Sequence, residues 1–453
     1  MNRKGFGQSQ PPIRDAKKFM QAFIERVATT QGDETQVHQF FESNRAKLDE
    51  SLLEALPLVF KALTAEKLPG TRQNIAQFFQ AFGALIQQFP LGDRMLNLEL
   101  SITAHQLSLK VYTREAFPEN WAGLQNNLGA AYRDRIRGER ADNLEQAIAA
   151  SELALQAHTR EAFPANWAMT QNNLGITYRD RIRGDRAENL EQSIAAYELA
   201  LQVRTREAFP EDWAMSQGNL AAVLMQRASL TESDTDLETA IALLKAALDV
   251  AAPNSPNFIN SQYRLGIALS RRYEHSQNSS DLEQALQAYK IALDAISPEH
   301  YDRKQIWQAL PTTQSILGSR LVREGKWQEG LQLLLNSVRQ LSTGDDPLAH
   351  ANALFQTGRA HETLSDWDNA RLYYRDALRL YDHLKNELGI AKSRAGLGSV
   401  LVSQGYLEKG LAELDKARES YHQLQQPDKA AEVDIIYQAA QRAMERQTTE
   451  AYV

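Results

Sequence analysis

The 453-residue sequence has no cysteine, which excludes a disulfide framework, a thiolate metal site and a cysteine nucleophile. That absence suits a reducing compartment, and the cytoplasm is the default address. Glycine (23) and proline (14) are scarce for a loop-rich chain, and with 43% hydrophobic residues a mostly helical protein is expected. Long apolar runs are missing: the best stretch, 55–63, is short and interrupted by Lys61, so direct membrane insertion is not expected. Residues 1–12 are polar, without the apolar core of a signal peptide, and are expected to form a disordered tail. An excess of positive charge is lacking too; a net charge of -7 disfavours nucleic acid, whose phosphates call for clustered Lys and Arg. The nine histidines show no HExxH spacing, and neither GxxxxGK[ST] nor GxSxG occurs. No metal, no cofactor and no catalytic residue are therefore expected, and the chain is not expected to be an enzyme. A protein or peptide ligand is the expected partner; oligomeric state is open.

What is present is repetition. Trp121, Trp167 and Trp213 lie 46 residues apart in the phrases FPENWA, FPANWA and FPEDWA, and 113–158 matches 159–204 at 35 of 46 positions. Each unit reads as a helical hairpin: WAGLQNNLGAAYRDRI and NLEQAIAASELALQ both carry apolar residues at three- and four-residue steps. The segment 137–143 (RGERADN) supplies the turn, with Asn143 or Asp142 expected to cap the second helix, and Pro118 opens the next unit. A small residue recurs in the first helix (Gly129, Gly175, Ala221, Gly266, Gly318, Gly358, Gly398). It has a small partner in the second (Ala147, Ser193, Ala240, Ala285, Gly330, Ala370, Gly410). Their separations of 18, 18, 19, 19, 12, 12 and 12 divide the array into four long hairpins and three short ones. Small side chains at such sites let two helices approach closely.

The Leu317-Gly318 and Leu397-Gly398 pairs, a small residue twelve later and another seven after that (Ala370 and Ala377; Gly410 and Ala417) resemble the tetratricopeptide pattern, with Trp327 and Trp367 opening second helices. The long units match it with about six residues added around RDRIRGER. Their FPxxWA/QNNLG text resembles tetratricopeptide arrays of filamentous cyanobacteria, which often precede CHAT caspase-like domains, and is similar to kinesin light chain-type repeats. The resemblance implies an all-α, right-handed superhelical solenoid of about eight hairpins with capping helices at both ends. The expected divisions are a tail (1–12), an N-terminal helical cap (13–70, with helices at 14–29, 34–47 and 48–63 closed by Pro69-Gly70), an array (71–424, long repeats to about 300 and shorter ones from about 305) and a C-terminal capping helix and tail (425–453). An earlier hairpin is expected from a first helix at 71–88 and a second around Ser101.

Asn127, Asn173 and Asn219 precede the Leu of three successive first helices, with Arg264 fourth in register and Asn126 and Asn172 beside them. An amide offers the donor and acceptor that a peptide bond needs, and in kinesin light chains and heat-shock co-chaperones, which the pattern resembles, Asn near this site binds an extended peptide's backbone. The alternative is that these amides bond neighbouring helices. The cluster Arg133, Arg135, Arg137, Arg140 recurs 46 residues on and reads as a salt-bridged face, with Arg133 and Arg179 placed to hold acidic groups. The tryptophans and Tyr132, Tyr178, Tyr197 and Tyr289 read as packing residues. The expected function is a non-catalytic scaffold or adaptor gripping a partner in a concave groove. The alternatives are a regulatory subunit of a separate CHAT-type effector and an assembly factor for a membrane or photosynthetic complex.

Overall fold

The computed structural model describes residues 11–65, 71–298, 300 and 303–450, with side chains described within 13–447. The expected disordered tail, but for the backbone of residues 11–12, and the Pro69-Gly70 closure lie outside the described residues. Among these, every regular element is helical, twenty α-helices and one 3-10 turn, divided between two compact units, Met1–Val250 and Ala251–Val453.

The first unit opens with α1 (Pro11–Thr30), α2 (Glu34–Ser43) and α3 (Glu50–Thr64). Asp33 and Asp49 cap the last two by accepting from Gln36 N (2.8 Å) and Leu52 N (2.9 Å). Helix α2 stops at Ser43, short of the expected residue 47: Asn44 leaves the helical backbone (φ -115°, ψ 18°), its side-chain amide donates to the Phe40 carbonyl at 3.0 Å, and a 3-10 turn follows. Phe23 stacks on Phe41 at 5.8 Å and meets Phe82 edge-on at 5.2 Å. This aromatic core continues into Ile86, Leu96 and Leu100 of the first hairpin, α4 (Thr71–Gln88) and α5 (Arg94–Ser108), so the three leading helices cover its apolar flank.

Three hairpins follow: α6 (Pro118–Asp134) with α7 (Arg140–Leu155), α8 (Pro164–Asp180) with α9 (Arg186–Leu201), and α10 (Pro210–Thr231) with α11 (Asp234–Leu248). Each first helix has Pro at its first turn, where no backbone donor is required. The preceding TREAFP text is a turn with its own cap, since Thr113, Thr159 and Thr205 hydroxyls accept from the Ala116, Ala162 and Ala208 amides at 3.3, 3.2 and 3.2 Å. The expected small pairs Gly129/Ala147, Gly175/Ser193 and Ala221/Ala240 are all buried. The expected cap at Asn143 is corrected: α7 begins at Arg140, a turn earlier. Asn143, inside the helix and buried, donates its amide to the Arg137 carbonyl (2.8 Å) and so fastens the turn from within. Asn189 does the same to Arg183 at 2.9 Å.

The extra length of the long hairpins is used in two ways. In α6/α7 and α8/α9 it forms the RIRG turn, where Gly138 (φ 77°) and Gly184 (φ 82°) take a left-handed backbone. In α10 it lengthens the first helix, which ends on a left-handed Glu232.

Successive hairpins of this unit are tied by a ladder. Arg135 forks onto Glu99 (2.7 and 2.9 Å), Arg181 onto Glu145 (2.8 and 2.9 Å), and Arg227 reaches Glu191 (2.7 Å) while forking onto Asp236 (2.7 Å twice). A planar guanidinium meets a carboxylate through two parallel bonds, and these pairs are only about a quarter exposed or less on the Arg135 and Arg181 side. The rest of the basic cluster is likewise engaged: Arg137 pairs with Glu50, Arg183 with Asp142, and Arg140 and Arg186 donate to the Arg133 and Arg179 carbonyls. Arg181→Ala is expected to lower unfolding free energy by about 1–2 kcal/mol, and Arg181→Lys to recover only part, because an ammonium lacks the fork. Urea unfolding measures both; an unchanged midpoint would mean that the ladder contributes nothing.

The second unit contains α12 (Pro256–Ser276) with α13 (Ser279–Ala295), α14 (Arg303–Arg323) with α15 (Trp327–Leu341), α16 (Pro347–Thr363) with α17 (Trp367–His383), α18 (Glu387–Ser403) with α19 (Leu407–Gln423), and α20 (Pro427–Glu450). Helix α12 is lengthened like α10 and ends on a left-handed Gln277. Gly318/Gly330, Gly358/Ala370 and Gly398/Gly410 are buried in the three short hairpins. Helix α20 packs on α19 through Ala430 and Val433. Its residues Gln438, Gln441 and Arg442, forty after Gly398, Leu401 and Val402, are exposed and polar where α18 is small or apolar, so this helix turns a solvated face outward.

Candidate partner-binding face

Every residue singled out for recognition lies in a first helix, those from Asn126 to Asn219 in the first unit and Arg264 in the second. In α6, α8 and α10 the register two residues before the small site holds Asn127, Asn173 and Asn219. Asn127 and Asn173 are half-buried, with surface open to solvent; Asn219 is only 9% exposed. The companions Asn126 and Asn172 are 2% exposed, so they have no surface to offer a ligand. Their oxygens are used inside the stack. Asn173 Nδ2 donates to Asn126 Oδ1 at 3.0 Å, while Asn172 Oδ1 accepts from Ser216 Oγ (3.2 Å) and Asn219 Nδ2 (3.4 Å). The amides thus make a stagger, each bonding one residue off register in the preceding hairpin. One helical residue is about 100° of rotation, which separates the solvent-facing amide from its buried neighbour.

Arg133 and Arg179 stand half-buried at the ends of α6 and α8, each with Nε 2.9 Å from the adjacent Asp134 or Asp180. Arg264, in α12 of the second unit, is half-buried and engaged by neighbours. The tryptophans are half-buried under guanidinium groups, Arg114 over Trp121 at 5.6 Å, and Arg160 over Trp167 and Arg206 over Trp213 at 5.8 Å. Arg114 and Arg160 also donate to Gln156 and Gln202 at 2.6 Å, so these rings staple a turn to the following hairpin. Tyr197 and Tyr289 are buried against Gly175 and Gly266. Tyr132 and Tyr178 bond back to Gln106 (2.8 Å) and Glu152 (3.3 Å).

Sequence reasoning missed a cavity in the second unit. About 440 Å3 in volume, it opens among α16, α18 and α20, and Gln356 and Gly396 line it at the same register as the Asn row, two residues before Gly358 and Gly398. Its floor is the ring of Tyr374, against which a Cβ on Gly396 would lie 2.5 Å from Cζ. The Tyr374 hydroxyl donates to Glu362 Oε2 at 2.5 Å, and burial together with that carboxylate holds its pKa well above the usual phenol range. The signal was available: Gly396 carries no side chain at a register that Asn127, Asn173, Asn219, Arg264, Ile316 and Gln356 fill in the other hairpins, which admits the Tyr374 ring to the wall.

Among the described residues no group of three or more His, Asp and Glu side chains is placed to hold a metal, and no helix is long and apolar enough to cross a membrane.

Stacked helical hairpins with small residues at their crossing points define a class of helical-repeat proteins. Within the chain, residues 167–206 and 213–257 match the tetratricopeptide repeat family model. No curated protein matches the sequence. Among solved structures, BtubC from P. vanneervenii is similar at 17% identity over 52% of this chain and 92% of its own, with a TM-score of 0.37. The apo quorum sensor NprR from B. thuringiensis is 15% identical over 81% of this chain and 99% of its own (TM-score 0.37). A putative kinesin light chain of Podospora anserina with nearly identical repeats is 14% identical over 48% and 95% (TM-score 0.32). At these identities and scores the likeness says nothing of what this chain binds.

Proposed function

We propose that this protein is a non-catalytic scaffold or adaptor that holds a peptide or partner protein along its first-helix face. The observation that supports the reading is the cavity in the short repeats, which lies at the register of the solvent-facing amides in the long ones. Asn127 and Asn173 are the proposed backbone contacts in the first unit, with Arg133 and Arg179 at the edge of the same face and Arg264 in the second unit. Asn219, Asn126 and Asn172 support that face from behind. Such a wall recognises an extended segment by amide bonds and area burial together.

The test is capture by the immobilised full chain from lysate of the organism that makes it, read by quantitative mass spectrometry. Proteins retained by the wild type should fall at least tenfold with Asn127→Ala/Asn173→Ala, as expected for about 1.4 kcal/mol of lost contact. Asn126→Ala is the control, since it breaks the Asn173–Asn126 bond without touching the exposed surface. Equal loss with Asn126→Ala would assign the row to structure alone, and unchanged capture by the double variant would overturn the reading.

A further inference from the structure

We propose that the outward face of α20 pairs with the same face of a second copy of this chain, the two helices running antiparallel and crossing at Ile435.

The starting point is a side chain out of place. Helix α20 packs on α19 and turns an otherwise polar face outward, as the end of a repeat array requires. In the middle of that face stands Ile435, 72% exposed, the most exposed large apolar side chain among the described residues. Forty residues earlier, at the same register of α18, Ala395 is half-buried against the apolar cluster that joins α18 and α19 to α20. The register that carries one hairpin onto the next is thus, on α20, an isoleucine in water.

The neighbours of Ile435 select what covers it. At 100° per residue, Asp428, Ala431, Glu432, Gln438, Ala439 and Arg442 lie within about 60° of it, and all are exposed. Each has a mate equally far on the other side: Asp428 and Arg442 at seven residues, Ala431 and Ala439 at four, Glu432 and Gln438 at three. Turning one helix end for end about Ile435 sets every residue opposite its mate. An acid then meets a base, a small residue meets a small residue, and a carboxylate meets an amide donor. Ile435 meets its own copy between the alanines of both helices, whose small side chains allow a close approach. A parallel pairing fails, because it sets Asp428 on Asp428 and Arg442 on Arg442. Glu432 is held by Lys429 at 2.8 Å and Gln438 donates to Asp434 at 2.7 Å, so the ionic part of the match falls on Asp428 and Arg442. Each contact occurs twice about a twofold axis, which is the self-complementarity an isologous dimer needs. An unrelated partner would carry the mirrored order of charges only by coincidence, whereas a second copy carries it by symmetry. One helix on one helix is a small contact, so the dimer is weak and forms at micromolar concentrations.

Sedimentation equilibrium of the full chain from about 2 to 200 µM tests the pairing. The weight-average mass should rise with concentration from 51.0 kDa toward twice that value. Ile435→Glu should weaken association at least tenfold. Asp428→Arg alone and Arg442→Asp alone should do the same, since each sets like charges against one another. An equimolar mixture of those two variants should recover wild-type association, because opposite charges then meet at both ends. Circular dichroism verifies that every variant is folded. A wild type that stays monomeric throughout, an Ile435→Glu chain that associates as the wild type does, or a mixture no better than its components would overturn the proposal. None of these outcomes touches the capture experiment on Asn127 and Asn173, which lie in the other unit.

Discussion

Gly330→Leu should destabilise the Ala251–Val453 unit by about 3 kcal/mol or more, and lower its melting temperature by roughly 6–12 °C for a unit of about 200 residues. The reason is backbone. A Cβ at Gly330 would lie 2.6 Å from the Gly318 carbonyl oxygen and 2.9 Å from the Val322 nitrogen, and one at Gly318 would lie 2.7 Å from the Gly330 oxygen. Neither contact can be relieved by turning a side chain, so helices α14 and α15 must move apart. That separation would pull Leu334 and Val322 out of the small core they share with Ala360. The opposing effect is helix propensity, worth about 1 kcal/mol in favour of replacing a helical glycine, and it is outweighed. Gly123 supplies the contrast, because a Cβ there meets nothing within 4 Å; Gly123→Ala should be neutral or stabilising by up to about 1 kcal/mol. Differential scanning calorimetry on both variants decides the matter. A Gly330→Leu melt within about 2 °C of wild type would show that the two helices do not cross as closely as described.

The close crossings explain why the hairpins could be read from the residues. A small pair 12, 18 or 19 residues apart lets the two helices of each hairpin cross closely, and two nearly identical 46-residue copies mark the unit boundaries; helix α4 at Thr71–Gln88 falls where the pattern put it. The inter-hairpin ladder was hidden for a different reason. Glu99 and Arg135 are 36 residues apart and become partners only through the stagger of one hairpin on the next. Either residue alone reads as a solvated charge. The amide row fell between these cases: adjacent asparagines share a helix, and a single residue of rotation puts Asn127 toward solvent and Asn126 beneath its neighbours. The cavity in the short repeats escaped notice because it is made by what Gly396 lacks. Asn143 is the reverse case, a residue of capping type that acts from inside the helix because the chain turns earlier than its polarity suggests.

The same small-pair logic leads to the second large expectation, a loss of stability in acid that a single substitution removes. The residue opposite the first-helix small site is His105 against Gly83, Tyr197 against Gly175, Tyr289 against Gly266, and Leu334 and Leu414 against Gly318 and Gly398. Only His105 in this set is of a type whose ordinary pKa lies near neutrality. It is fully buried, neither ring nitrogen has a hydrogen-bond partner, and burial pushes its pKa down from 6.5 to about 4. The folded state therefore keeps the ring neutral while the unfolded chain takes up a proton below pH 6.5. Stability from this residue is complete above pH 6.5 and is lost as pH falls toward 4, with about 2.5 kcal/mol gone by pH ~4.5. Other groups titrate in the same window, so the readout is a difference: urea unfolding of wild type and His105→Leu at pH 7 and about 4.5, the variant losing about 2.5 kcal/mol less on acidification. Leucine is the appropriate replacement because Leu334 and Leu414 fill the same slot in other hairpins. His158 is also buried with a lowered pKa, but it is present in both proteins and cancels. If both proteins lose the same stability on acidification, the ring at 105 finds a proton-accepting partner or solvent in the folded state, and the tight packing of Gly83 on His105 would have to be abandoned with it.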